Sequence, residues 1–222
     1  MSISLPVPGD TVVTTYNELR DELSAYLNRS DLTSQFAGWI FKVEAEMNRR
    51  FAQSPVLPMH VVTPLTLATE YVDLPLSLIK IDELDVPDYW SIDFVDSRNI
   101  AALKDRNADA ALPPRYYTQI GSKIRLCPAP QTSFTANLIY FEKIPQLNEI
   151  SQTNWVIQDH SDAYLFGVLA YARTFEDDPA TRDFCLSTFD AMLDSILSSY
   201  PTQTDNTPLR SDIGLLNRTC FA

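Results

Sequence analysis

Ten of the fifteen prolines of this chain fall between Pro55 and Pro145, at positions 55, 58, 64, 75, 87, 113, 114, 128, 130 and 145. A proline lacks the backbone N–H and its ring clashes with the carbonyl one helical turn back, so no long helix survives a stretch so punctuated. The runs between the prolines are short and β-prone: His60-Val61-Val62-Thr63, Glu70-Tyr71-Val72-Asp73-Leu74 and Leu78-Ile79-Lys80-Ile81. The clearest element is a hairpin in which residues 115–120 meet residues 123–127 through Gly121-Ser122, a two-residue turn with glycine where φ must be positive. Ala136 to Phe141 follows as a strand apolar on both faces, hence a central one. Ser97 to Asp105 reads as a short helix within this zone.

On either side the hydrophobic period changes to that of a helix. Thr15-Tyr16-Asn17-Glu18 fits a capping box, and Tyr16, Leu19, Leu23, Tyr26 and Leu27 recur at helical spacing behind it. Asn28-Arg29-Ser30-Asp31 breaks the pattern, and Asp31 is the expected cap of a second helix. That helix carries Phe36, Trp39, Ile40, Val43, Met47 and Phe51 on one face, with Lys42, Glu44, Glu46, Arg49 and Arg50 read as its charged face. Near the other end, Ser161-Asp162 opens a helix with the stripe Leu165, Val168, Leu169, Ala172 and Phe175. Glu176-Asp177-Asp178-Pro179 breaks it, with Asp178 suited to N-cap and Pro179 to the first helical position. Phe184, Phe189, Met192, Leu193, Ile196 and Leu197 form a last stripe, ending near Tyr200-Pro201.

The expected fold is therefore α+β: a helical bundle made by the N- and C-terminal helix pairs, with an antiparallel β subdomain inserted between them. In residue terms, 1–54 and 148–200 supply the helix pairs, 55–147 the β insert, and 201–222 an extended tail with scattered apolar anchors. Within that tail Leu209, Arg210, Ile213, Leu215, Leu216 and Phe221 are the candidate contacts to a partner or to a neighbouring subunit.

The side-chain chemistry points away from catalysis. Of the two histidines, His60 and His160, neither has a second histidine or a cysteine at ligand spacing, so no metal is expected. Asp159-His160-Ser161 places triad residue types side by side, but a triad is assembled by the fold, and a helix start explains the segment better. Five glycines form no phosphate-binding cluster, and no cofactor is expected. Cys127, Cys185 and Cys220 are far apart and odd in number, and read as thiols in a reducing compartment. Met1 to Asp10 lacks the charge and apolar run of a signal peptide, and no apolar run approaches a membrane span, so a soluble, intracellular protein is expected. The formal net charge of −12 repels a phosphate backbone and argues against tight nucleic-acid binding.

Several blocks resemble the head-to-tail connector, or adaptor, proteins of tailed bacteriophages, especially short-tailed ones. They are the 15–19 and 27–32 segments (TYNEL and LNRSDL), the Ala-Glu to Arg-Arg end of the second helix over residues 44–51, and the Pro114–Pro130 hairpin. Tyr140 to Leu147, Asn154-Trp155, Asp162 to Gly167 and the acidic break at 176–178 follow in the same order. Residues 201–222 match nothing in that pattern. The resemblance implies a non-enzymatic virion protein at the head–tail junction, present in the host cytoplasm before assembly. It implies a homo-oligomeric ring, commonly of twelve copies, that binds the portal above and a tail hub, nozzle or tail-fibre protein below. Genomic DNA would pass through without specific binding, and an acidic lining suits that passage. Two other readings compete: a phage-associated peptidoglycan or polysaccharide hydrolase working through a carboxylate pair, and a tail-fibre or decoration binding module.

Overall fold

The computed structural model describes residues 13–29, 31–103 and 112–200. The capping box forms as read: the Glu18 amide donates to Thr15 Oγ1 at 3.3 Å and the Thr15 amide to Glu18 Oε2 at 3.0 Å, opening α1 (Tyr16–Leu27). Asn28, left-handed at φ 49°, closes the helix. The second helix, α2 (Thr33–Gln53), begins without the expected cap. Its N-cap is Leu32, and Asp31 turns to the guanidinium of Arg29 at 3.0 Å. A charged donor two residues away outcompetes the neutral helix amides for that carboxylate.

A single turn at Leu57–Met59 leads into the β zone, whose strands are β1 (His60–Leu67), β2 (Tyr71–Asp73), β3 (Leu78–Asp85) and β4 (Asp93–Phe94). After the short helix α3 (Ser97–Leu103) come β5 (Tyr116–Ile120), β6 (Lys123–Cys127) and β7 (Phe134–Glu142). Of the helix expected to Asp105, Lys104 and Asp105 lie outside the described residues. The β5–β6 hairpin turns through Gly121 at φ +60°.

One sheet has the order β1-β7-β3 and the other β2-β6-β5-β4. β7 is central, as its two apolar faces require, with both neighbours antiparallel. Pro64 sits on β1, an edge strand, where a missing N–H costs no ladder bond. The expectation of an antiparallel insert needs one correction: β4 runs parallel to β5, pairing Asp93 with Tyr116 and Phe94 with Tyr117. The residues between β4 and β5 include α3, and a connection of that length can bring the chain back in parallel.

The two sheets share a core made of Leu67, Leu84, Ala136, Leu138 and Tyr140 from the first and Tyr117, Ile124 and Leu126 from the second. Strand alternation then points Phe141 to the opposite face of β7, where it joins the helical core. The helices that complete that core are α4 (Trp155–Asp159), α5 (Ser161–Phe175) and α6 (Pro179–Ser199).

Three details of the C-terminal helices differ from the sequence reading. Ser161 opens α5 as expected but without a side-chain cap, because Asp159-His160-Ser161 is the joint to α4, a further short helix capped by Asn154, whose Oδ1 accepts from the Ile157 amide at 3.0 Å. Phe175 and Phe184, placed on the core stripes, are 62% and 49% exposed. Ala172 and Phe189 are buried as expected, and Cys185 takes the buried position next to Phe184. The break between the helices is as expected: Asp178 accepts from the Thr181 amide at 3.2 Å and Pro179 follows as the first helical residue.

Candidate interaction surface

The six tail positions singled out from sequence, Leu209, Arg210, Ile213, Leu215, Leu216 and Phe221, lie outside the described residues, as does Cys220. Cys127 and Cys185 are both buried and form no disulfide. Among the described residues no group of three or more His, Cys, Asp or Glu side chains could hold a metal ion. No helix among them is long and apolar enough to cross a membrane.

Where the β zone returns to the helices, the chain is pinned by a buried polar cluster. Glu44, read from sequence as part of a charged face, is 3% exposed. Its Oε1 accepts from the Leu147 amide at 2.7 Å and from the Tyr164 hydroxyl at 3.1 Å. Asn154 Nδ2 donates to the same hydroxyl at 2.8 Å and to the Pro145 carbonyl at 2.8 Å. One helical turn further along α2, Asn48 Oδ1 accepts from the Ile144 amide at 2.9 Å. Burial pushes the Glu44 carboxyl up to about 7, against the pull of its two donors. Burial and the adjacent carboxylate push the Tyr164 hydroxyl well up in turn. The Glu44 carboxyl is thus enclosed and committed to backbone and tyrosine, with no second carboxylate in its hydrogen-bond set. That is a structural arrangement, unlike the paired acids across a cleft that glycoside hydrolysis needs.

The α2–α5–α6 packing opens a groove on the surface. Gly167 lets the helices close: a Cβ there would lie 2.9 Å and 3.0 Å from the two methyls of Val43 and 3.1 Å from Phe189 Cε2. Beside it Ala170, Tyr171, Leu186 and Phe189 line a recess of about 390 Å³, rimmed by Glu46, Arg182 and Asp190. Gly167, Ala170, Tyr171 and Thr174 are spaced i, i+3, i+4, i+7, so they form one face of α5.

Two apolar side chains project almost completely into solvent, Leu76 at 90% and Ile150 at 95%. Ile150 stands on a closed turn. Asn148 Oδ1 accepts from the Ile150 and Ser151 amides, both at 2.8 Å, and the Asn148 amide donates to the Ser151 carbonyl at 2.9 Å. Gln152 Nε2 then donates to the Glu149 carbonyl at 2.7 Å, and the Gln152 carbonyl accepts from the Tyr16 amide at 2.8 Å. The turn is thereby fixed to the start of α1.

Sequence reasoning missed Glu44, Gly167 and Ile150. A signal for Glu44 was present: Ile40, Glu44, Met47 and Phe51 are spaced i, i+4, i+7, i+11, so the acid interrupts the apolar stripe. No local pattern marks the other two, because their roles depend on which helices and turns come together.

Compared with known families, the chain matches the model of the SU10 adaptor protein over residues 14–212. No curated protein matches it.

Proposed function

Because the chain belongs to the SU10 adaptor protein family, a structural component of bacteriophages, we propose that it is the subunit of a homo-oligomeric ring joining the portal to the tail. The family match across both helix pairs and the β zone is the observation that carries this reading. In it the helical bundle (1–54 and 148–200) acts as the ring wall against the portal, while the β insert (55–147) faces the tail proteins. The tail (201–222), with Leu209, Arg210, Ile213, Leu215, Leu216 and Phe221, binds the portal or a neighbour.

Genomic DNA passes through the ring without specific binding. The net charge of −12 supports that part of the reading, since an acidic bore repels phosphates at short range and a basic one would trap them.

The test is to mix the protein with isolated portal rings and image the product by electron microscopy. A stoichiometric ring docked under the portal is expected, and its map should have an acidic bore. Monomers that never add to the portal would overturn the assignment, and a strongly basic bore would overturn the account of DNA passage.

A further inference from the structure

A closed ring of identical subunits is held by a heterologous contact, in which two different patches of one molecule meet on neighbouring copies. Such patches must be complementary in shape and must sit on different flanks. Resting on the ring reading above, we propose that Ile150 of one copy seats in the α2–α5–α6 groove of the next.

Ile150 is a preformed projection, and the α2–α5–α6 groove is a recess of a size to receive it. Ile150 is 95% exposed on a turn whose amides and carbonyls are tied by four hydrogen bonds, so little ordering entropy is lost when it docks. The recess is floored by Gly167 and Ala170 and walled by Tyr171, Leu186 and Phe189; its volume of about 390 Å³ admits an isoleucine together with the turn that bears it.

The two lie on different flanks of the bundle. The turn is fixed to α1 through Tyr16 and Gln152, and through Arg20 and Glu149 at 3.7 Å. α1 packs on α5. The groove face of α5 carries Gly167, Ala170, Tyr171 and Thr174, whereas Leu165, Val168 and Ala172 lie on its opposite face, buried in the core shared with α1. On the rim of the recess Glu46 is paired with Arg49 and Arg182 with Asp183, which leaves Asp190 to meet Arg20 of the incoming turn, while Glu149, its side chain 80% exposed, exchanges into the Arg182 pair.

The experiment uses the full-length chain and analytical ultracentrifugation across a concentration series. Ile150→Asp removes the projection, and Leu186→Asp charges the wall of the recess. Both positions are exposed, so the fold should survive, which near-UV circular dichroism checks; Thr174→Trp, at the exposed end of the same face, is the second recess variant. Each substitution should weaken self-association about tenfold or more, since each removes or charges one apolar anchor. An equimolar mixture of Ile150→Asp and Leu186→Asp retains one good projection and one good recess. It should form dimers that grow no further.

If the wild type is monomeric alone, the same variants are compared on isolated portal rings, and a wild type that forms no ring there either would sink the ring and this contact together. Wild-type assembly unaffected by Ile150→Asp would leave the ring standing and overturn the contact alone. Loss of assembly with Leu186→Asp and with Leu209→Asp, but not with Ile150→Asp, would assign the groove to the tail instead. Mixed variants that never pair would also count against the contact.

Discussion

Replacing Glu44 by glutamine gives the sharpest test of the buried cluster, because the carboxyl couples folding to pH with a definite sign. Burial pushes it up to about 7 from an ordinary value of 4.5. The native state therefore holds its proton through a range in which the unfolded chain has lost it, so this group favours folding less as pH rises. Its contribution is fully present below about pH 4.5 and disappears as pH passes 7. One pKa unit corresponds to about 1.4 kcal/mol, so the full penalty of ionising Glu44 in place is on the order of 3 kcal/mol, of which roughly 2 to 3 develops between pH 5 and 8.

A glutamine keeps an oxygen for the Leu147 amide and the Tyr164 hydroxyl but cannot ionise. The measurement is urea unfolding of wild type and Glu44→Gln at pH 5 and pH 8. All other groups, including the remaining acids (29 less Glu44) that repel one another at high pH, cancel in the difference between the two proteins. The variant should gain on wild type by roughly 2 to 3 kcal/mol over that range, equivalent to about 5 to 10 °C in Tm. Parallel pH profiles for the two proteins would refute the reasoning. Glu44→Ala should destabilise at pH 5 by about 1 to 3 kcal/mol, because it leaves the Leu147 amide buried without an acceptor, and most of that deficit should disappear at pH 8, where wild type bears the cost of ionising Glu44.

Gly167→Ala should lower stability by about 1 to 3 kcal/mol, since its methyl would press within 2.9 Å of Val43; thermal melts check this, and pairing it with Val43→Ala should recover part of the loss. Asp178→Ala and Thr15→Ala each remove a helix cap and should cost about 1 kcal/mol. Asp31→Ala, at an exposed ion pair that caps nothing, should change stability by less than about 0.5 kcal/mol; a cost equal to that of the true caps would contradict its placement.

Those contrasts mark the limit of what the sequence reveals. The capping box at Thr15, the break at Asp178-Pro179, the hairpin at Gly121 and the central position of β7 were all legible, because each depends on residues within one turn or one strand. Asp31 was misread because a cap and an ion pair compete for the same carboxylate, and Arg29 is as close in sequence as the amides. The five residues of α4 are too few to nucleate a helix alone. What holds them is tertiary: Asn154 bonded to Pro145 and Tyr164, and Trp155 against Phe51 at 5.8 Å between rings. Phe175 and Phe184 sat at helical spacing, yet the bundle covers only part of each helix. Periodicity identifies apolar faces but not which of them the monomer buries.

That surplus bears on assembly. α6 buries Cys185, Phe189, Leu193 and Ile196 while leaving Phe184 and Leu186 half exposed, so it has more apolar surface than one bundle consumes. A net charge of −12 opposes the use of that surface, because approaching copies repel one another before their apolar patches meet. Screening should therefore decide the balance. Between 0.1 M and 1 M salt the Debye length falls from about 10 Å to about 3 Å, which removes most of the repulsion between exposed charges. The attraction proposed for Ile150 and its groove is mainly apolar and does not weaken with ionic strength. The rim pairs of Glu149 with Arg182 and Arg20 with Asp190 do weaken, but exposed pairs contribute little, about 0 to 1 kcal/mol each. Ring formation, followed by sedimentation at fixed protein concentration, should consequently increase with salt. A decrease would mean that ion pairs, and not the isoleucine in its recess, hold neighbouring copies together.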